Sequence, residues 1–265
     1  MKIYFIGDIG NFNNQTKKIF KNIKEDSSDD DLLILLGDNF YPYGVKNLSD
    51  SNWNNIENII FNRKNMYAVL GNHDYLGNIK CQIEYKNWNM EYNYFKKSFE
   101  KCDLFFVDTC ILVPDYSNLN YDIVKSKIEN EPLEELKKQI EWLENELSKS
   151  KKKIKIVVGH YPIFSFGLYG VNKKLFEILF PIFRKYNVQY YVSGHDHNLQ
   201  IIDIITKDYS FKQLVSGASS NIYPIIRNCS NKVFSKYGYI NLNLTNNTTN
   251  IIDVNNKILF TENIE

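Results

Sequence analysis

The chain has 265 residues, 43% of them hydrophobic, which is enough apolar surface for a continuous core in one large domain. Its 32 lysines and arginines balance 31 acids. No global field therefore draws in nucleic acid or an anionic membrane, and an anionic substrate has to be held locally. No apolar run approaches the ~18 residues that span a bilayer. Four cysteines, Cys81, Cys102, Cys110 and Cys229, lack any CxxC spacing and predict free thiols in a reducing compartment.

Apolar runs at 3–6, 32–36, 66–70 and 104–107, rich in β-branched and aromatic residues, predict strands buried on both faces. Leu133, Leu136, Ile140, Leu143 and Leu147 then form one stripe at helical spacing, opened by Pro132 and supported by Glu134 four residues ahead of Lys138. Further strands are expected at 154–158 and 188–192, with a helix between them from about Asn172 to Tyr186 that Pro181 should kink or restart. Beyond Gln200 the helical signal fades into strand-like pieces at 213–216, 237–242, 249–254 and 258–261, a partly antiparallel completion of the sheet. The alternation gives an α/β fold, expected as a single domain over residues 1–265. If Met1 is the native start the chain begins inside its own core, which implies the cytoplasm; a removed leader would instead make the protein secreted or vacuolar.

The strand ends carry a more specific pattern. Gly7-Asp8, Gly37-Asp38, Gly71-Asn72-His73, Gly159-His160 and Gly194-His195-Asp196-His197 each place a glycine and then a metal-capable side chain directly after an apolar run. Glycine lets the chain leave a strand with positive φ or with another backbone pressed close, and α/β sheets bind ligands at the carboxyl ends of their strands. A lone Gly-Asp is an ordinary turn, but five such turns using all four histidines predict one converging site. Two aspartates, an asparagine, four histidines and Tyr41 are too many donors for one ion. Mixed carboxylate and imidazole ligation suits a pair of transition-metal ions ~3.5 to 4 Å apart, with Asp38 as the natural bridge.

The blocks Gly7-Asp8-Ile9-Gly10, Gly37-Asp38-Asn39-Phe40-Tyr41, Gly71-Asn72-His73-Asp74, Val158-Gly159-His160-Tyr161-Pro162 and Gly194-His195-Asp196-His197 resemble, in order, the signature blocks of the calcineurin-like metallophosphoesterases. Tyr41 makes them similar to the purple acid phosphatases, and the stretches around 71–85, Trp142, 160–162 and 193–200 are similar to the small, mammalian-type, tartrate-resistant members. Tyrosine is 19 of 265 residues, so chance fills the Tyr41 position roughly one time in fourteen, odds that favour a ligand.

The resemblance implies a four-layer αββα sandwich of two mixed sheets, and an acid phosphatase that hydrolyses phosphate monoesters by in-line attack of a metal-activated hydroxide. Asp8, Asp38, Tyr41 and His197 would hold Fe(III), since a phenolate loses its proton more readily to a trivalent ion. Asp38, Asn72, His160 and His195 would hold a divalent Fe, Zn or Mn. His73, assigned to neither ion, would face the substrate as the catalytic residue, stabilising charge or protonating the leaving oxygen. Asp74 would orient His73 or cap the following turn, and Asp196 would support His195 or His197. Expected partners are small phosphomonoesters and phosphoproteins, with no nucleic acid and no membrane span, and the protein itself is expected to be a monomer. Two departures stand out: mammalian-type members carry a Glu-His pair where this chain has Leu168-Tyr169, and their disulfide is missing. Residues 114–131 fall where those members carry a loop over the site, either a lid or an inert surface loop. The open alternatives are a phosphodiesterase or nucleotidase of the same superfamily using Mn or Zn, with Tyr41 unligated, and a metal-holding scaffold without turnover.

Overall fold

The computed structural model describes residues 1–60, 64–113, 121–127, 132–227 and 230–264. In chain order the strands are β1 (Lys2–Ile6), β2 (Leu32–Leu35), β3 (Met66–Ala68), β4 (Phe95–Ser98), β5 (Cys102–Phe106), β6 (Ile154–Val158), β7 (Tyr190–Ser193), β8 (Leu199–Ile205), β9 (Ser210–Ser216), β10 (Val233–Phe234), β11 (Gly238–Asn243), β12 (Thr248–Asp253) and β13 (Ile258–Asn263). The helices are α1 (Asn14–Asp26), α2 (Trp53–Ile60), α3 (Asn72–Tyr75), α4 (Ile79–Glu84), α5 (Thr109–Leu112), α6 (Tyr121–Lys125), α7 (Pro132–Lys149) and α8 (Lys173–Tyr186).

One sheet has the order β13-β12-β11-β1-β2-β3, with β1, β2 and β3 parallel and the other strands antiparallel. The other runs β10-β8-β9-β7-β6-β5-β4, parallel from β5 through β6 and β7 to β9. Both are mixed, as expected of an α/β sandwich. The sheets meet where Gly7 N donates to Ser216 O at 2.7 Å and the Ser216 hydroxyl donates to Phe5 O at 2.7 Å. Helices cover the outer faces. On one side α1 buries Ile19, Phe20 and Ile23 and is tied to the first sheet by Asn22, which donates to Val254 O at 3.0 Å. On the other, Phe183 of α8 packs against Tyr191 of β7 and Phe211 of β9.

All six strands predicted up to residue 192 exist, 154–158 with unchanged ends and the other five with an end shifted by one to two residues. The helix seen in the leucine stripe is α7, and the Asn172 helix is α8, whose first turn Asn172 caps by accepting from Leu175 N at 3.0 Å. Pro181 does not restart that helix. It removes one backbone donor, but Leu179, Ile182 and Phe183 are buried around it and hold the helix unbroken from 173 to 186. Cys81, Cys102 and Cys110 are buried free thiols, while Cys229 lies outside the described residues. Of the loop expected over the site, 114–120 and 128–131 also lie outside them; between these, α6 packs on α7. Among the described residues no helix is long and apolar enough to cross a membrane.

A polar knot ties the second sheet to α3. Asp108, fully buried, accepts from Tyr75 OH at 2.5 Å, Cys110 N at 3.0 Å and Asn93 Nδ2 at 3.3 Å. Burial pushes its carboxyl up to about 6, although these donors oppose the rise. The folded value lies above the unfolded one, so this group's stabilisation is complete below about pH 4 and lost as pH rises through about 6. Denaturant melts should therefore show wild type losing on the order of 3 kcal/mol relative to Asp108→Asn across that window, with a constant difference above it. A pH-independent difference would contradict the raised value.

Candidate metal centre

The carboxyl ends of five parallel strands deliver the predicted residues: Asp8 after β1, Asp38 after β2, Asn72 and His73 after β3, His160 after β6, and His195 and His197 after β7. Three ends belong to one sheet and two to the other, so the cluster spans the seam between them. Both uses expected of glycine, positive φ and close approach, occur in these turns. Of the five glycines only Gly37 has positive φ (88°), and the left-handed conformation falls on the candidate ligands themselves, Asp8 (59°), Asp38 (52°) and His195 (64°). Such backbone costs about 1–3 kcal/mol per residue and collects at functional sites. Gly71 and Gly194 serve close approach instead: a Cβ on Gly194 would lie 2.6 Å from Asp8 Oδ2, and one on Gly71 would overlap the Asp38 carboxylate.

One donor set gathers around Tyr41. Its phenol oxygen lies 3.0 Å from Asp8 Oδ1, 3.0 Å from Asp38 Oδ2 and 3.1 Å from His197 Nε2, and His197 Nε2 lies 3.2 Å from Asp8 Oδ1. One hydroxyl proton cannot satisfy both carboxylates at once. Donor atoms bound side by side to a single ion at ~2.1 Å sit ~3.0 Å apart, so these spacings fit a cation among them. Burial, then Asp38 and Asp8, push the Tyr41 phenol well above its usual range, so only a strong positive charge would release its proton. Burial, the largest single influence, pulls His197 down, but the Asp8, Asp38 and Asp196 carboxylates together shift it upward.

A second set lies across Asp38. His160, fully buried, donates from Nδ1 to Leu36 O at 2.7 Å, which leaves Nε2 bare in the neutral ring. That atom is 3.1 Å from Asn72 Oδ1 and 3.5 Å from Asp38 Oδ1. Asp38, His160 and His195 can each bring a donor atom within 4.8 Å of the other two. Burial, then His160, His197 and His73, hold His195 well below its usual range, which keeps it a neutral donor. In that tautomer lone pairs face one another here, and the residues fit a metal ion.

His73 stands beside both sets. Its N–H donates to Asp38 Oδ1 at 2.9 Å, its Nδ1 donates to Pro42 O at 2.7 Å, and its ring meets Tyr41 edge-on. Asp74 does not orient it. Its buried carboxylate instead accepts from Gly71 N (2.8 Å), Asn39 N (3.1 Å) and Gln82 Nε2 (2.9 Å), binding the loop after β2 to the loop after β3. Burial and the nearby Asp38 push this group up to about 7. Asp196 does not support an imidazole either: it takes hydrogen bonds from Ser165 Oγ, Asn198 Nδ2 (2.8 Å) and Tyr169 N. Asn39 and Gln82 were not anticipated, because their partners lie 35 and 8 residues away. Leu36 O, which fixes the His160 tautomer, is a backbone atom and carries no sequence signal.

The calcineurin-like phosphoesterase model matches residues 1–199. The chain belongs to that family. This metallophosphoesterase is 32% identical over 214 residues to tartrate-resistant acid phosphatase type 5 of Mus musculus, covering 74% of this chain and 63% of that protein. It is also 32% identical over 209 residues to purple acid phosphatase 7 of Arabidopsis thaliana, again covering 74% and 63%. The match thus spans less than two thirds of these relatives. Among solved structures, GAP50, the anchor in the inner membrane complex of Plasmodium, covers 99% of this chain and 88% of its own at a TM-score of 0.76 and 23% identity. A purple acid phosphatase from yellow lupin (Lupinus luteus) seeds covers 98% and 53% at 0.67 and 13%. At those identities the two structures speak for the shared four-layer fold alone.

Proposed function

We propose that this metallophosphoesterase is a dinuclear acid phosphatase that hydrolyses phosphate monoesters, small ones or those of phosphoproteins. Asp8, Asp38, Tyr41 and His197 would hold Fe(III); Asp38, Asn72, His160 and His195 would hold a divalent Fe, Zn or Mn. The observation that carries this reading is the division of the Asp38 carboxylate, with Oδ2 at Tyr41 and Oδ1 towards His160. A carboxylate so divided can serve two ions at once. Two carboxylates and a phenolate make the first set hard and anionic, suited to a trivalent ion, whereas Asn72 and two imidazoles leave the second nearly neutral. When bound, the ions would supply Lewis-acid charge for the phosphoryl oxygens and acidify a water for attack.

The chain's own groups do the remaining work. His73, anchored through Nδ1 to Pro42 O, keeps Nε2 for exchanging a proton with a leaving oxygen or for stabilising charge on phosphorus oxygens. Asp74 holds the loops that carry Asp38 and Asn72 in one register.

Tyr41 also favours a second reading. Its raised pKa and two carboxylate contacts suit a protonated, unligated phenol in a Mn or Zn phosphodiesterase or nucleotidase. Protein prepared without chelators should contain iron and show a visible tyrosinate charge-transfer band, and Tyr41→Phe should abolish the band. A colourless, iron-free protein that still turned over would sink the ferric assignment. The third reading, a metal-holding scaffold without turnover, rests on the same two donor sets. It gains if metal-loaded protein hydrolyses no aryl phosphate from acidic to neutral pH.

A further inference from the structure

Two tyrosines outside both donor sets lie flat against candidate ligands. The Tyr169 ring is 4.0 Å from that of His195, tilted by 34°, and the Tyr223 ring stacks on that of His197 at 4.3 Å and 19°. The buried Tyr161 ring meets His195 edge-on at 4.6 Å, so His195 is packed against aromatic rings on two sides. His197 Nδ1 has no hydrogen-bond partner among the described residues, so its ring is held by the Nε2 contacts to Tyr41 and Asp8 and by stacking on Tyr223. Tyr169 is nevertheless 46% exposed. A ring that served only to pack a ligand would not be left half open to solvent.

The backbone holds both tyrosines in place. Ser165 Oγ and Tyr169 N donate to the Asp196 carboxylate. Tyr223 N donates to His197 O at 2.7 Å. The two loops are joined where Ile226 N and Arg227 N both donate to Phe166 O at 3.0 Å and the Arg227 guanidinium donates to Gly167 O at 2.5 Å. The same two loop segments also expose Leu168, Val171, Ile222 and Ile226. A phosphate held at the metal centre would lie beside the two histidines that these rings cover, with its ester group next to Tyr169 and Tyr223.

We infer that Tyr169 and Tyr223 are specificity-determining residues, forming an aromatic jaw that selects phosphate esters whose leaving group carries a flat ring. This rests on the phosphatase reading for where phosphorus sits. Offset or edge-on contact with two rings favours a flat group over a saturated one of equal size. Apolar burial alone would favour the saturated ring.

The test compares 2-phenylethylphosphonate with 2-cyclohexylethylphosphonate, bound to the full metal-loaded chain and measured by calorimetry. Neither can be hydrolysed, and they differ only in the flatness of the ring. Wild type should bind the phenyl compound about fivefold more tightly. Tyr169→Phe should keep that ratio, and the double variant Tyr169→Leu/Tyr223→Leu should bring it to about one. Equal binding by wild type, a ratio that survives the double substitution, or one lost in Tyr169→Phe each overturns the jaw. The corresponding phosphate esters, both of aliphatic alcohols and so similar in leaving-group acidity, are assayed in parallel. Selective phosphonate binding without turnover of either ester would overturn the phosphatase reading while supporting the jaw.

Discussion

With the proposed pair of ions bound, Asp38→Asn is expected to drop the metal content from two ions per chain to below one and to cut kcat/KM on a phosphate monoester at least about a thousandfold. Losing a single oxyanion donor already costs about 10²–10³ in rate, and this change disturbs two donor sets. The direction of the damage is set by the hydrogen bonds. Oδ1 accepts from His73 N at 2.9 Å, so the amide oxygen of Asn must occupy that place to avoid setting two donors against each other. The NH2 group then takes the position of Oδ2, 3.0 Å from the Tyr41 phenol, where a hard trivalent ion would need an anion. The Tyr41 half should therefore empty first, and its visible band should vanish before the divalent ion is lost. Elemental analysis of the variant, read beside its spectrum, tests the order. Retention of both ions, or activity within tenfold of wild type, would remove Asp38 from its bridging role.

The sequence carried the placement of the site because the signal was local. Each candidate ligand sits close beyond a glycine at the end of a hydrophobic run, and that pairing can be read without knowing which strands are neighbours. What could not be read was how the turns are held. Asp74 looked like a neighbour of His73, yet its carboxylate reaches Asn39, 35 residues back, and ties a distant loop to its own. Asp196 likewise serves Ser165, 31 residues away, in preference to the histidines on either side of it. The leucine stripe marked α7, whereas α1 escaped notice because only Ile19, Phe20 and Ile23 of its thirteen residues form the apolar face. β8 (Leu199–Ile205) begins right behind the last ligand block, so its strand pattern was masked by the motif. Local chemistry was therefore legible, and long-range polar support was not.

That support can be probed at Gly71. Its φ of −109° and ψ of 177° are ordinary extended values, so alanine meets no backbone strain there. Space is the obstacle: an added Cβ would lie 2.9 Å from Asp38 Cγ and closer still to Asp38 N and Oδ1. Neither neighbour can yield. The Asp38 backbone is already left-handed, and its Oδ1 is engaged by His73 N. Gly71→Ala must therefore push the loop after β3 away from the loop after β2, stretching the bonds from Gly71 N and Asn39 N to Asp74. Overpacking of this kind costs about 1–3 kcal/mol, which a denaturant melt would read. Asn72 moves with the loop, so the second donor set should open relative to Asp38. A displacement of about 1 Å at a reacting centre costs on the order of a hundredfold in rate. Kinetics should thus show kcat/KM falling about that far, with divalent-ion affinity weakened more than iron affinity, since Asp8, Tyr41 and His197 lie on other loops. If the two ions weakened equally, or the divalent ion were held as tightly as in wild type, Asn72 would not belong to the second set.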